Sequence, residues 1–129
     1  MKKILSIITV LVVLSGCIKE KQAGADLNTG DMLPDFEVVM NDGSVVTDDY
    51  LKQETSVVMF FHTSCPDCQQ VLPQMQKIYD EYASDKVRIV LISREESNED
   101  IDSFWKKAGL EMPYSAQKDR KVYERFAKS

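Results

Sequence analysis

Val57-Val58-Met59-Phe60-Phe61-His62-Thr63-Ser64-Cys65-Pro66-Asp67-Cys68 decides the reading of this chain. The first five residues are a β-branched and aromatic apolar run, the pattern of a buried strand. Past Cys68 the pattern changes to a helical one, with Val71, Leu72, Met75, Ile78, Tyr79 and Tyr82 expected on one apolar face. The two cysteines therefore stand where a strand ends and a helix begins. Pro66 suits the first helical position, where a missing N–H costs nothing. Cys65 then falls at the helix N-cap and Cys68 one turn further on. Residues three apart on a helix are neighbours, so the pair can close a short disulfide without bending its scaffold.

The free N–H groups at a helix start favour a thiolate on Cys65. Asp67 places a negative charge nearby and opposes it, by an effect of comparable size. The expected result is a modestly lowered Cys65 pKa and no strongly oxidising character. Cys65, at the exposed junction, is the expected nucleophile, and Cys68 the thiol that resolves a mixed disulfide. Two bland readings compete. A zinc site needs four ligands, and only Cys17 and His62 remain to supply them. A static disulfide across so short a loop would stabilise little. His62 has an open role: it could tune the thiolate or assist a proton transfer, or simply be a loop residue.

The chain has 129 residues. It opens Met1-Lys2-Lys3, then runs apolar over residues 4–14, too short to span a bilayer as a folded helix. Leu14-Ser15-Gly16-Cys17 follows. This reads as a secretory signal over residues 1–16. It resembles the lipobox of bacterial lipoproteins, which implies cleavage before Cys17 and lipid on that cysteine. Sixteen Lys and Arg stand against 21 Asp and Glu, for a net charge of −5. Without Lys2 and Lys3 the mature chain is at −7. Such a balance argues against nucleic acid and against electrostatic attachment to anionic lipid. The lipid on Cys17 would be the membrane link. Residues 17–30 are polar and read as a lipidated tether.

One domain is expected over residues 31–129, enough to bury a modest core. A short hairpin turns at Asn41-Asp42-Gly43. One helical turn follows near residues 48–52. A long helix starts at Pro66 and must bend at Pro73. Val87-Arg88-Ile89-Val90-Leu91-Ile92-Ser93 is a second buried strand. Strand, helix and strand in this order imply a parallel pair with a right-handed crossover. Ser97 caps a helix with Ile101, Phe104, Trp105 and Ala108 inward, and Gly109 ends it. Residues 112–116 are expected as a short strand. Asp119 is expected to cap a last helix with Val122, Tyr123 and Phe126 inward. The charged run over residues 94–102 reads as a solvated loop and helix start.

These features resemble the membrane-anchored thioredoxin-like oxidoreductases of the bacterial envelope, the TlpA/ResA group within the redoxin superfamily. The matching residues are Gly30-Asp31-Met32-Leu33-Pro34-Asp35-Phe36, the Asn41-Asp42-Gly43 turn, residues 57–61, Thr63-Ser64-Cys65-Pro66-Asp67-Cys68 and Pro73. The resemblance implies an α/β, thioredoxin-like fold, a central mixed sheet flanked by helices. It implies reduction or exchange of envelope disulfides, through periplasmic protein thiols and an upstream dithiol reductant, with no cofactor. Cys65 and Cys68 would be catalytic, tuned by Pro66, Asp67 and His62, with no metal. Three departures stand out. Met59 occupies the position of a buried thioredoxin carboxylate. Val71 stands where the envelope group often has an acid. Pro113 is not the family's cis-proline, and the sequence ends about where that loop should follow. The expectation is thus a domain lacking its C-terminal strand pair and helix, with a sheet edge and one core face uncovered.

Four functions follow from these readings. The first is a thiol–disulfide oxidoreductase of the envelope, probing disulfides of other proteins in a reductive or isomerising direction. The second is a soft-metal (copper) chaperone using Cys65, Cys68 and His62. The third is a thiol peroxidase, against which the second cysteine of the motif argues. The fourth is an inactive relic of a truncated gene.

Overall fold

In a computed structural model, the structure describes residues 26–127. The signal and lipidation readings on residues 1–16 and Cys17 lie outside them. The framework is a three-stranded parallel sheet. Its strands are β3 (Thr55–Phe61), β4 (Val87–Ser93) and β5 (Tyr114–Ser115), in the order β3-β4-β5. An antiparallel hairpin precedes it, β1 (Glu37–Val39) and β2 (Val45–Thr47), turning at Gly43 with φ 85°. The hairpin docks on β5. Asn41 N–H donates to Tyr114 O at 2.7 Å, and Ser115 Oγ donates to Val39 O at 2.7 Å. The helices are α1 (Asp48–Lys52), α2 (Pro66–Tyr82) and α3 (Asn98–Ala108).

Alternation along the strands sorts side chains to two cores. On one face Phe61, Ile89 and Leu91 pack with Leu72 of α2 and with Ile101 and Trp105 of α3. On the other, Val90 and Ile92 pack with Phe36, Val38 and Val46 of the hairpin region, Leu51 of α1 and Phe126. β4, central between two strands, carries both. β3 registers on β4 from Thr55↔Val87 to Phe61↔Ser93. This is the parallel pair the sequence implied. Among the described residues no strand pairs with the outer edge of β3.

α3 is capped as its sequence dictates. Ser97 Oγ accepts the Asp100 N–H at 3.2 Å, and Gly109 ends the helix in the left-handed region at φ 67°. Trp105 is core: its indole N–H donates to Met112 O at 2.9 Å, and its ring lies 5.1 Å from Phe61 and 4.8 Å from Tyr114.

Three expectations are corrected. The buried stripe of α2 is Cys68, Leu72, Met75 and Tyr79, whereas Val71, Ile78 and Tyr82 are exposed. α2 lies against a narrow sheet, and a stripe at i, i+4, i+7 and i+11 is all that such a surface covers. The expected last helix is one 3-10 turn, Tyr123–Arg125. Asp119 spends its carboxylate on the Lys121 N–H two residues on, at 3.0 Å, a local turn that competes with a helix cap. Phe126 is nonetheless buried, edge-on to Phe36 and Phe60. Thirdly, the charged run over residues 94–102 is not uniformly solvated: the Glu96 side chain is only 5% exposed. Residues 26–30, within the stretch read as a tether, carry ordered contacts. Leu27 N–H donates to Phe126 O at 3.0 Å, and the Leu27 side chain packs on the second core.

Candidate active site

β3 delivers the chain to the candidate site. Phe61, wholly buried, anchors the end of the strand, and Phe61 O accepts the Arg94 N–H at 2.9 Å. The four residues 62–65 then turn into α2. Cys65 O accepts the Gln69 N–H at 3.0 Å, and Cys65 N–H donates to His62 O at 3.0 Å. Cys65 is the N-cap of α2 with extended backbone (φ −76°, ψ 122°), and Pro66 opens the first helical turn. Its side chain makes no capping hydrogen bond, so the helix-start N–H groups face the thiol as unpaired donors.

Cys65 and Cys68 are both free thiols and half-buried. Their environments differ in a way that follows from one turn of helix. The Cys65 thiol is held below its ordinary pKa, first by the backbone N–H of Cys68, then by the Cys68 thiol and the Asp67 N–H. Burial and the Asp67 carboxylate oppose this and lose. Asp67 is exposed, so solvent screens its charge. The Cys68 thiol is pushed up, chiefly by burial, with the Cys65 sulfur adding to it. The His62 backbone N–H and the Arg94 guanidinium act in the opposite sense. Cys68 packs against the first core beside the Leu72 stripe, which is why desolvation dominates there.

His62 is half-exposed. Nδ1 lies 2.8 Å from Ser64 Oγ and accepts the Ser64 N–H at 3.2 Å. Glu96 Oε2 lies 3.9 Å from the same nitrogen. Among the described residues no three of His, Cys, Asp and Glu are grouped to hold a metal ion. The residue that sequence reasoning missed is Glu96, from the β4–α3 loop. Its Oε2 accepts the Thr63 N–H at 2.9 Å, and its Oε1 accepts the Thr63 hydroxyl. Nothing in a run of charged residues marks one of them as buried, so no periodicity could have singled it out.

A dithiol at a strand–helix junction, unequal in acidity and carried on a parallel sheet flanked by helices, defines a thioredoxin-fold oxidoreductase of the thiol–disulfide class. The chain belongs to the AhpC/TSA family, whose profile matches residues 29–128. It is similar to the thiol-disulfide oxidoreductase ResA of Bacillus thuringiensis (strain Al Hakam), 26% identical over 126 residues. That match covers 89% of this chain and 70% of ResA. A solution structure of a putative protein disulfide isomerase from Bacteroides thetaiotaomicron shares the fold. It has TM-score 0.74 at 24% identity, over 81% of this chain and 67% of that one. A thioredoxin family thiol:disulfide interchange protein from Chlorobium tepidum TLS gives TM-score 0.58 at 28% identity, over 72% and 63%. The TlpA/ResA resemblance and the thioredoxin-like fold read from the sequence are thus met by both relatives and structure.

Proposed function

We propose that this protein reduces or exchanges disulfides of proteins in the bacterial envelope, with Cys65 attacking and Cys68 resolving. The observation that carries the role assignment is the unequal pair: a thiol favoured as thiolate at the helix cap, and a shielded one three residues on. The Cys65 thiolate attacks one sulfur of a client disulfide. A Cys65–client bond forms, the client S–S bond breaks, and the departing client thiolate takes a proton from water. Cys68 then loses its proton and attacks Cys65 Sγ. The intramolecular disulfide forms and the second client thiol leaves. Two electrons have passed to the client, and an upstream dithiol restores the pair.

Pro66 serves this by starting the helix without wasting an N–H, and Asp67 by moderating the thiolate. The relatives' names support the disulfide chemistry; the reductive direction rests on the Asp67 carboxylate opposing the helix-start N–H groups at Cys65. The signal over residues 1–16, a lipid on Cys17 and a tether up to the domain would place the protein on a membrane facing the periplasm. That placement rests on the basic start, the apolar stretch and Leu14-Ser15-Gly16-Cys17. The soft-metal reading loses ground because the His62 ring engages Ser64 and Glu96 instead of the thiols.

The test is the reduction potential of the Cys65–Cys68 pair in glutathione or dithiothreitol buffers, on the full chain carrying Cys17→Ser. A two-electron couple near or below about −200 mV, with turnover of a protein disulfide, is expected. A couple near about −120 mV would mark an oxidant and refute the direction. Retention of Cys17→Ser protein in the membrane fraction would refute the anchor.

A further inference from the structure

Thr63 stands between the end of β3 and the Cys65 cap, and only 9% of it is exposed. Every polar atom of it is engaged. Its N–H and hydroxyl donate to the two oxygens of Glu96, and its carbonyl accepts from Gln69 Nε2 at 2.8 Å. Gln69 follows Cys68 directly on α2. Thr63 is therefore a bridge: the β4–α3 loop grips one side of it and the first turn of α2 the other. Glu96 is the outer end of that bridge and is itself held, its N–H donating to Gln117 O at 2.9 Å. Shielding a carboxylate is costly unless hydrogen bonds replace its water. Here Thr63 supplies two, and among the described residues His62, at 3.9 Å, is the only basic side chain within 4.0 Å.

We propose that Glu96 is a positioning residue for the second step of exchange, bracing the His62–Thr63 turn against Cys68. The inference rests on the assignment of Cys68 as the resolving thiol. The two steps ask different things of the scaffold. The first attack needs only the Cys65 thiol at the helix cap. The second needs Cys68 and Cys65 held against each other across the turn, whose His62 O accepts the Cys65 N–H at 3.0 Å and whose Thr63 O accepts from Gln69, the residue after Cys68. Cys68 is also the thiol that burial disfavours as an anion, so its attack gains most from fixed geometry. Loosening the turn should slow resolution and spare the initial attack.

The two steps separate in a stopped-flow reaction of the reduced full chain, carrying Cys17→Ser, with an aromatic disulfide such as Ellman's reagent. Attack by Cys65 breaks the reagent's S–S bond, forms a Cys65–aryl disulfide and releases one arylthiolate. Attack by Cys68 on Cys65 Sγ forms the protein disulfide, releases the second arylthiolate and sends the Cys68 proton to solvent. Glu96→Ala should slow the second release about tenfold, the weight of one hydrogen bond to a charged group, and leave the first unchanged. Glu96→Gln keeps an acceptor for the Thr63 N–H and should restore most of the second rate. Thr63→Val keeps that N–H but loses the hydroxyl, and should slow the second release by less than Glu96→Ala does. An unchanged second release in Glu96→Ala or Thr63→Val, or both releases slowing together, would overturn the proposal. Peptide mapping of the trapped aryl adduct distinguishes the two levels of inference. An adduct on Cys65 with unaltered Glu96→Ala kinetics overturns the brace alone, whereas an adduct on Cys68 overturns the assignment of roles as well.

Discussion

Phe126→Ala tests whether the end of the described chain closes the core face opposite α2 and α3. Phe126 is 9% exposed and belongs to the second core, with Phe36, Leu51 and Ile92. Its ring meets Phe60 at 4.9 Å and Phe36 at 5.4 Å, both edge-on, the arrangement that aromatic quadrupoles favour. Truncating a buried Phe to Ala costs about 3–5 kcal/mol, and the low end applies where neighbours can settle into the space. The turn that carries Phe126 is at the surface and can settle, so about 3 kcal/mol is expected. For a domain of about 100 residues each kcal/mol lowers Tm by roughly 4–8 °C, so the shift should exceed about 12 °C. Of this, the Phe36–Phe126 pair should appear as a coupling of about 0.5–1.5 kcal/mol in a Phe36→Ala/Phe126→Ala cycle. The assay is thermal and urea unfolding followed by circular dichroism on the reduced protein. Tyr82→Ala, at an exposed site on α2, is the control and should stay within about 0.5 kcal/mol. A Tm loss under about 4 °C for Phe126→Ala would mean that the 3-10 turn does not seal this face, and the second core would have to be redrawn without it.

The unequal thiols predict a maximum in the stability of the dithiol form near the ordinary thiol pKa, about 8.5. Cys65 is lowered in the folded state, so its contribution is full above the unfolded value and is lost as pH falls through the folded one; Cys68 is raised, so stability falls as pH climbs past the unfolded value. Urea unfolding across this range should show Cys65→Ala removing the rising limb and Cys68→Ala the falling one, and identical profiles would refute the asymmetry. Gly109→Ala should cost about 1 kcal/mol despite open space around the site, because the penalty is the left-handed backbone and not a clash; a neutral effect in thermal unfolding would show that the helix end relaxes. 

The sequence was legible where one physical signal had no competitor. β4 holds an apolar run from Ile89 to Ile92, and a strand between two others must be apolar on both faces. α3 carries its own boundaries in Ser97 and Gly109, whose side chain and conformation act within the helix itself. α2 was legible in extent but not in orientation. Val71, Ile78 and Tyr82 fit an apolar stripe as well as Tyr79 does, and which residues are covered depends on how wide a sheet lies beneath. The end of the chain failed for another reason: Asp119 has two ways to satisfy a backbone N–H, and the nearer one won. At the site, the cysteines announce themselves by spacing and by Pro66. Glu96 does not, since its partner Thr63 lies 33 residues away and only the fold brings them together.

The strand position at which the resemblance would place a buried carboxylate is Met59, which packs against the first core. The site does hold a shielded carboxylate, but it comes from the opposite side, on the β4–α3 loop. Both oxygens of Glu96 are engaged by Thr63, and the His62 ring nitrogen, 3.9 Å from Glu96 Oε2, itself engages Ser64. Glu96 is therefore placed to hold the turn, joining the β4–α3 loop to the residues that lead into the Cys65 cap. The rigidity of the 62–65 turn thus becomes the quantity on which resolution depends.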